Sequence, residues 1–254
     1  MSQRQCNLQG KNVLVTGGSM GIGFACAEKC IDSGAQVIIC ARDFGPLSDS
    51  VQKLDAKASG KISSIVADVS DVRQVEALFQ SVKKQLGRID AVIHCAGVYG
   101  PIGSVMEINP EEWLEAIRIN LYGSFLVSRE ACRQMKQTGG GNIVLFSGGG
   151  AATPFPYYTA YACGKVGVVR FAETLAQEVE PFNIRVNCIA PGFIESPMTE
   201  ALSDEQKESM LKEIPVGNIG KPEDIANCVA FLTDEKASFI TGSTVNINGG
   251  MLMV

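Results

Sequence analysis

The sequence predicts one α/β domain, a doubly wound parallel sheet of about seven strands flanked by helices. Three observations point there. Short apolar runs bounded by turn residues alternate with stretches of helical period almost to the end of the chain. Runs of this kind suit strands covered on both faces, and right-handed crossovers then wind helices onto each side. A glycine-rich turn, Gly17-Gly18-Ser19-Met20-Gly21-Ile22-Gly23, joins the first apolar run to the first helical stretch.

The elements come in order along the chain. Lys11–Thr16 reads as the first strand, and a helix from Ile22 to Ser33 stops at Gly34. Next come a strand at Gln36–Ala41, a helix near Leu47–Ala58, a strand at Ile62–Ala67, a helix near Val72–Leu86 and a strand at Ala91–Cys95. One long helix is expected near Pro110–Gln134. Asn109 can cap it, Pro110 suits its first turn, and Glu111 and Glu112 favour its positive end. A strand at Gly141–Ser147, a helix near Thr159–Val179, a strand at Ile184–Ile189 and a final helix–strand pair ending in Thr244–Ile247 complete the pattern. Residues 193–215 are charge-rich and lack a strand pattern, so they read as a mobile lid over the sheet edge, with Pro197, Met198, Leu202, Met210 and Leu211 as its apolar members. No linker, repeat or low-complexity tract divides the chain, which predicts a single domain over residues 1–254.

Composition narrows the function classes. The chain has 46% hydrophobic residues, enough for a large core, and a net charge of −5 from 22 basic and 27 acidic residues. Without a basic block, nucleic acid has no electrostatic footing. No apolar run reaches the length that spans a bilayer, and Met1–Gly10 lacks an apolar signal region, so a cytoplasmic protein with no membrane partner is expected. Nine cysteines, an odd number with no CxxC pair, argue against a disulfide framework or a metal site. His94 is the single histidine.

The glycines of the first turn bring backbone close to a ligand, and the helix beyond them offers free N–H groups to an anion. That is where a dinucleotide pyrophosphate sits in such a fold. The spacing Thr16-Gly17-x-x-x-Gly21-x-Gly23 resembles the short-chain dehydrogenase/reductase family, and the resemblance continues along the chain. Asp68-Val69 comes after the third strand; His94-Cys95-Ala96-Gly97 stands where the family usually has Asn-Asn-Ala-Gly. Asn120, Tyr161-x-x-x-Lys165, Pro191-Gly192 and a tail from Ile240-Thr241-Gly242 to Asn248-Gly249-Gly250 come next, the tail being similar to members related to 3-oxoacyl-carrier-protein reductases.

The resemblance implies a Rossmann-type fold and a nicotinamide cofactor held by Gly17, Ser19, Met20, Gly21 and Ile22 at the phosphates, and by Asp68 and Val69 at the adenine. Ala96, Gly97, Pro191, Gly192 and Ile194 would line the rest of the cofactor site, with Tyr161 and Lys165 touching the nicotinamide end. At the tip of the second strand, Cys40-Ala41-Arg42 lacks the acid that would bind a ribose 2′-hydroxyl, and Arg42 can pair with a 2′-phosphate. NADP(H) is therefore favoured, with NAD(H) kept open.

Tyr161 and Lys165 are four residues apart in a helical stretch and so share a face. A neighbouring ammonium lowers a phenol's pKa, so Tyr161 is expected as the acid–base group, tuned by Lys165. The family adds Asn120, a backbone-bound amide supporting a proton relay, and a serine that holds the substrate oxygen. Counting back from Tyr161, the usual serine position falls on Gly148, and Ser147 is assigned the role provisionally. His94 reads as support for the pocket. The expected reaction is reversible hydride transfer between NADP(H) and a small carbonyl/alcohol pair: a 3-oxoacyl thioester, a sugar or polyol, or a cyclic alcohol. The alternative is a nucleotide-sensing binding protein with little catalytic activity; an epimerase or dehydratase is a further rival. Family members often form tetramers, and the apolar tail Met251–Val254 fits burial against a neighbour, so a homotetramer is expected.

Overall fold

The structure is a computed structural model that describes residues 6–196 and 203–252. Pro197, Met198 and Leu202 of the expected lid, and Met253 and Val254 of the tail, lie outside the described residues.

Seven parallel strands run β1 (Asn12–Thr16), β2 (Gln36–Ala41), β3 (Ile62–Val66), β4 (Ala91–His94), β5 (Gly141–Phe146), β6 (Ile184–Pro191) and β7 (Thr244–Ile247), in the sheet order β3-β2-β1-β4-β5-β6-β7. The order reverses between β1 and β4, the switch point at which such sheets open a crevice at their C-terminal edge.

Alternate residues of each strand feed two separate cores, as the pleat requires. Val13, Val15, Val37, Ile39 and Ile93 pack under α1 (Gly21–Asp32), α2 (Phe44–Asp55) and the last long helix, Pro222–Thr233. Leu14, Ile38, Val92, Ile143 and Leu145 face α3 (Val72–Leu86) and two helices nearer the centre of the sheet, Gly123–Thr138 and Thr159–Val179. Each fully buried large side chain removes apolar surface worth about 2 kcal/mol from water.

The long helix expected at Pro110–Gln134 is continuous but winds wide at its centre. It comprises α4 (Pro110–Ile117), a five-residue π-helical turn (Arg118–Tyr122) and α5 (Gly123–Thr138). Its start agrees with expectation, with Asn109 Oδ1 accepting from the Glu111 N–H at 2.8 Å. π turns of this kind cluster at functional sites, and this one carries Asn120. α6 (Thr159–Val179) occupies the span that its periodicity predicts. The expected lid contains α7 (Asp204–Lys212), and α8 (Pro222–Thr233) closes the helical set. Ile194 also makes an isolated parallel bridge to Gly220, so the segment starts with a strand-like contact that its residue pattern does not announce.

Candidate active site

The glycine turn at the end of β1 is tight because its backbone touches the exit of the neighbouring strand β4. Gly17 has φ 68°, and a Cβ there would meet the Ala96 nitrogen at 2.7 Å. α1 starts at Gly21 with no capping side chain on Met20 and no acid in its first turn. The first N–H groups of a helix lack intrahelical partners, so the turn and helix start form a donor-rich cradle open to a phosphate. Gly18 N–H donates to Cys40 O at 3.2 Å, and Ser50 Oγ donates to Ser19 O at 2.7 Å, bracing the loop against β2 and α2. The sequence gives no hint of this role for Ser50, since a serine inside an amphipathic helix carries no signal of its own.

A cavity of about 380 Å³ opens over this cradle and is bordered by Gly17, Ser19, Met20, Ile22, Arg42, Asp68, Val69, Ala96 and Gly97. A neighbouring cavity of about 240 Å³ holds Tyr161, Lys165, Ser147, Pro191, Gly192 and Ile194. Both share Ile22, Gly97, Val98 and Phe146, so they form one cleft along the C-terminal strand edge. Of the expected cofactor residues, only Gly21 lines neither cavity. A larger cavity of about 600 Å³, walled by Lys11, Arg88, Asp90 and Arg185, gathers none of the expected site residues.

The elongated shape and the backbone cradle fit a dinucleotide. Gly17, Ser19 and Ile22 with the start of α1 would hold its phosphates, and Asp68 and Val69 would flank its base. Arg42 stands 64% exposed at the β2 tip, its Nε 3.8 Å from Asp43 Oδ1. Asp43 brings an acid to the same cavity edge, two residues past the Ala41 position at which one would bind the ribose.

Tyr161 and Lys165 project from α6 into the second cavity, as their spacing implies. Lys165 is 5% exposed, and its Nζ donates to Phe146 O at 2.9 Å and lies 5.7 Å from the Tyr161 ring centre. Burial pulls the lysine down to about 8, partly offset by the thiols of Cys188 and Cys95. Burial pushes the Tyr161 phenol above its usual range, with Tyr99 adding to the effect. Desolvation rather than Lys165 sets the direction for the phenol, and it favours the neutral form of both groups. The phenol rests protonated, as a general acid must.

Asn120, 1% exposed, is clamped at both ends of its amide. Its Oδ1 accepts from Val98 N–H at 3.0 Å and its Nδ2 donates to Val98 O at 2.7 Å. A Cβ on Gly97 would fall 2.8 Å from Asn120 Oδ1 and 3.1 Å from Lys165 Nζ, so these three residues converge. His94, fully buried at the end of β4, shares a 2.7 Å hydrogen bond with Thr16 Oγ1 across the β1–β4 ladder. Its Nε2 has no partner among the described residues.

Ser147 lines the same cavity as Tyr161, with its hydroxyl turned toward the sheet. It is 4% exposed, and its hydroxyl donates to Ile189 O at 3.4 Å, within the sheet. The cause is the pleat: successive residues of extended chain point to opposite sides. Gly148 is the residue that faces Tyr161, since a Cβ there would lie 3.2 Å from the phenol Cζ and closer still to its oxygen. The aromatic wall is also richer than the sequence suggests. Tyr99 packs against Tyr161 with ring centres 4.8 Å apart, and Phe155 stacks on Tyr158 at 4.4 Å. Tyr99 lies two residues beyond Gly97 in an irregular loop, where its nearness to the His94–Gly97 motif is the one available clue.

Among the described residues no group of three or more His, Cys, Asp or Glu could hold a metal ion, and no helix is long and apolar enough to cross a membrane.

Comparison with known proteins bears on this geometry. The family described as enoyl-(acyl carrier protein) reductase matches residues 17–252. The 3-oxoacyl-(acyl-carrier-protein) reductase FabG of Haemophilus influenzae is 37% identical over 246 residues, 97% of this chain and 100% of that protein. The Escherichia coli protein of the same name is 36% identical over 248 residues, 98% of this chain and 100% of that one. Among solved structures, a short-chain type dehydrogenase/reductase from Mycobacterium ulcerans superposes with a TM-score of 0.93 at 31% identity, covering 96% of this chain and 90% of the other. With the sheet order, the glycine cradle and near-complete coverage in agreement, the chain belongs to the short-chain dehydrogenase/reductase family, oxidoreductases that act on CH–OH and C=O groups.

Proposed function

We propose that the protein catalyses reversible hydride transfer between NADP(H) and a small carbonyl/alcohol pair, with a 3-oxoacyl thioester as the first substrate class to test. The observation that carries this reading is the meeting of Tyr161 and Lys165 in a cleft continuous with the glycine cradle, with the buried Asn120 behind Gly97. The names of its relatives support the thioester, and Arg42 at the β2 tip supports NADP(H) over NAD(H).

When bound, the cofactor supplies the hydride for reduction or accepts it for oxidation. Gly17, Ser19, Met20, Gly21 and Ile22 would hold its phosphates, while Asp68, Val69, Ala96, Gly97, Pro191, Gly192 and Ile194 would enclose the remainder. Tyr161 gives its proton to the substrate oxygen as negative charge develops there, and takes one back in oxidation. Lys165, charged below its depressed pKa of about 8, stabilises the phenolate left behind. Asn120 fixes the Val98 backbone and so the floor of the pocket.

The test is consumption of NADPH, monitored by absorbance, across a carbonyl panel that includes a 3-oxoacyl thioester. The wild type should turn over and Tyr161→Phe should lose about a thousandfold or more in kcat while still binding NADPH. Bound cofactor with no consumption across the panel overturns the reading. We place the protein in the cytoplasm as a homotetramer. The exposed rings of Tyr122 and Phe125 on one side of the central helix, and the fully exposed Phe239, support association, which light scattering tests against a monomer.

A further inference from the structure

A carbonyl oxygen gains negative charge as it is reduced, and buried sites stabilise such charge with donors aimed at it. In the proposed oxidoreductase Tyr161 is one donor, and the inference of a second rests on that function. The position that would supply the second donor is bare. Gly148 comes after β5 in extended conformation (φ 175°, ψ 178°), which any residue can adopt, so its backbone does not call for glycine. What keeps a side chain out is the Tyr161 phenol, which fills the space a Cβ would take. Ser147, though it lines the cavity, spends its hydroxyl on Ile189 O.

Another tyrosine lines the cavity beside the phenol. Tyr99 lines the same cavity as Tyr161, its ring 4.8 Å away and tilted by 51°. Its orientation is braced from two sides. Tyr158 meets it edge-on at 5.6 Å and 70°. The preceding residue, Val98, is held at both backbone groups by Asn120. Such bracing is what a donor needs if it is to act without reorganising.

We propose that Tyr99 gives the second hydrogen bond to the reacting oxygen, in the role that Gly148 leaves open. Tyr99 donates without surrendering its proton; the proton that joins the oxygen comes from Tyr161, the electron pair arrives as hydride from the reduced cofactor, and the products are the alcohol, the oxidised cofactor and the Tyr161 phenolate. Burial, with Tyr158 nearby, holds the Tyr99 phenol above its ordinary range, so it stays a donor across the neutral range. The clamp on Val98 then acquires a purpose: Asn120 positions Tyr99 through the backbone.

The experiment compares Tyr99→Phe, Ser147→Ala and Tyr161→Phe with the best carbonyl of the panel, and measures NADPH binding by fluorescence. Tyr99→Phe keeps the ring and should lower kcat by about a hundredfold, with KM and the NADPH Kd within about twofold, as loss of a bond made in the transition state requires. Ser147→Ala should lose less in kcat than Tyr99→Phe, since the Ser147 hydroxyl is engaged by Ile189 O. A Tyr99→Phe enzyme with wild-type kcat, or one changed only in KM or NADPH affinity, overturns the proposal, as does a Ser147→Ala loss equal to that of Tyr99→Phe. Those outcomes, with Tyr161→Phe inactive, leave the oxidoreductase reading standing; a fully active Tyr161→Phe would remove both.

Discussion

Acidification acts on one buried group whose effect can be isolated. His94 is 1% exposed, has its Nδ1 bonded to Thr16 Oγ1, and is pulled down to about 3 by burial and secondarily by the charge of Lys165. In the unfolded chain an imidazole titrates near 6.5. The folded pKa is the lower one, so between the two values the unfolded chain binds more protons and stability falls as pH falls. The stabilisation is fully present above about 6.5 and is lost progressively toward about 3. At pH 4 the folded ring is still neutral, while the unfolded ring gains about 3 kcal/mol from its proton. Replacing the ring by an amide removes the proton site and keeps an acceptor for the Thr16 hydroxyl. Urea midpoints for wild type and His94→Asn should therefore be compared at pH 7, 5 and 4, at one protein concentration. The substitution leaves a smaller side chain and is expected to lower stability at pH 7. The wild type should then lose about 3 kcal/mol more than the variant between pH 7 and pH 4. Parallel losses would refute the assignment of a neutral, buried histidine.

Two further predictions concern the cofactor cleft. Gly17→Ala places a Cβ against the Ala96 nitrogen in a backbone at φ 68°, so it should weaken NADPH binding at least about tenfold and lower the Tm, both measurable by thermal shift with and without cofactor. Arg42→Ala should reduce kcat/KM with NADPH by about tenfold and leave that with NADH within about twofold, since only the first loses a charge-assisted bond; equal losses with both cofactors would show that the side chain does not read the 2′-phosphate.

Much of the fold was legible because its signals are periodic. The Val72–Leu86 and Thr159–Val179 helices have the predicted ends. For Val72–Leu86 the local chemistry is visible: Asp71 caps the N-terminus and Gly87, at φ 75°, stops the C-terminus. That Tyr161 and Lys165 share a face followed from helix geometry, and their role as a pair from the family resemblance. Three features escaped for physical reasons. A π turn keeps helical composition while changing phase, so nothing in the letters around Asn120 marks it. Which of Ser147 and Gly148 faces the phenol depends on how far β5 stays extended, a boundary that pattern reading fixes only to within a residue or two. The protonated state of Tyr161 depends on burial and on Tyr99, which comes from a loop without period.

The wide turn at Arg118–Tyr122 sets a constraint on length. An ordinary helix advances about 100° per residue, so removing one residue there to restore regular winding would swing everything upstream by roughly that angle. Trp113, whose indole N–H donates to Thr159 Oγ1 at 3.1 Å, would part from the start of α6, or else Asn120 would turn off Val98. The extra residue lets a single continuous rod serve two neighbours that lie in different directions. Its residue count between Trp113 and Ser124 is set by those two attachments.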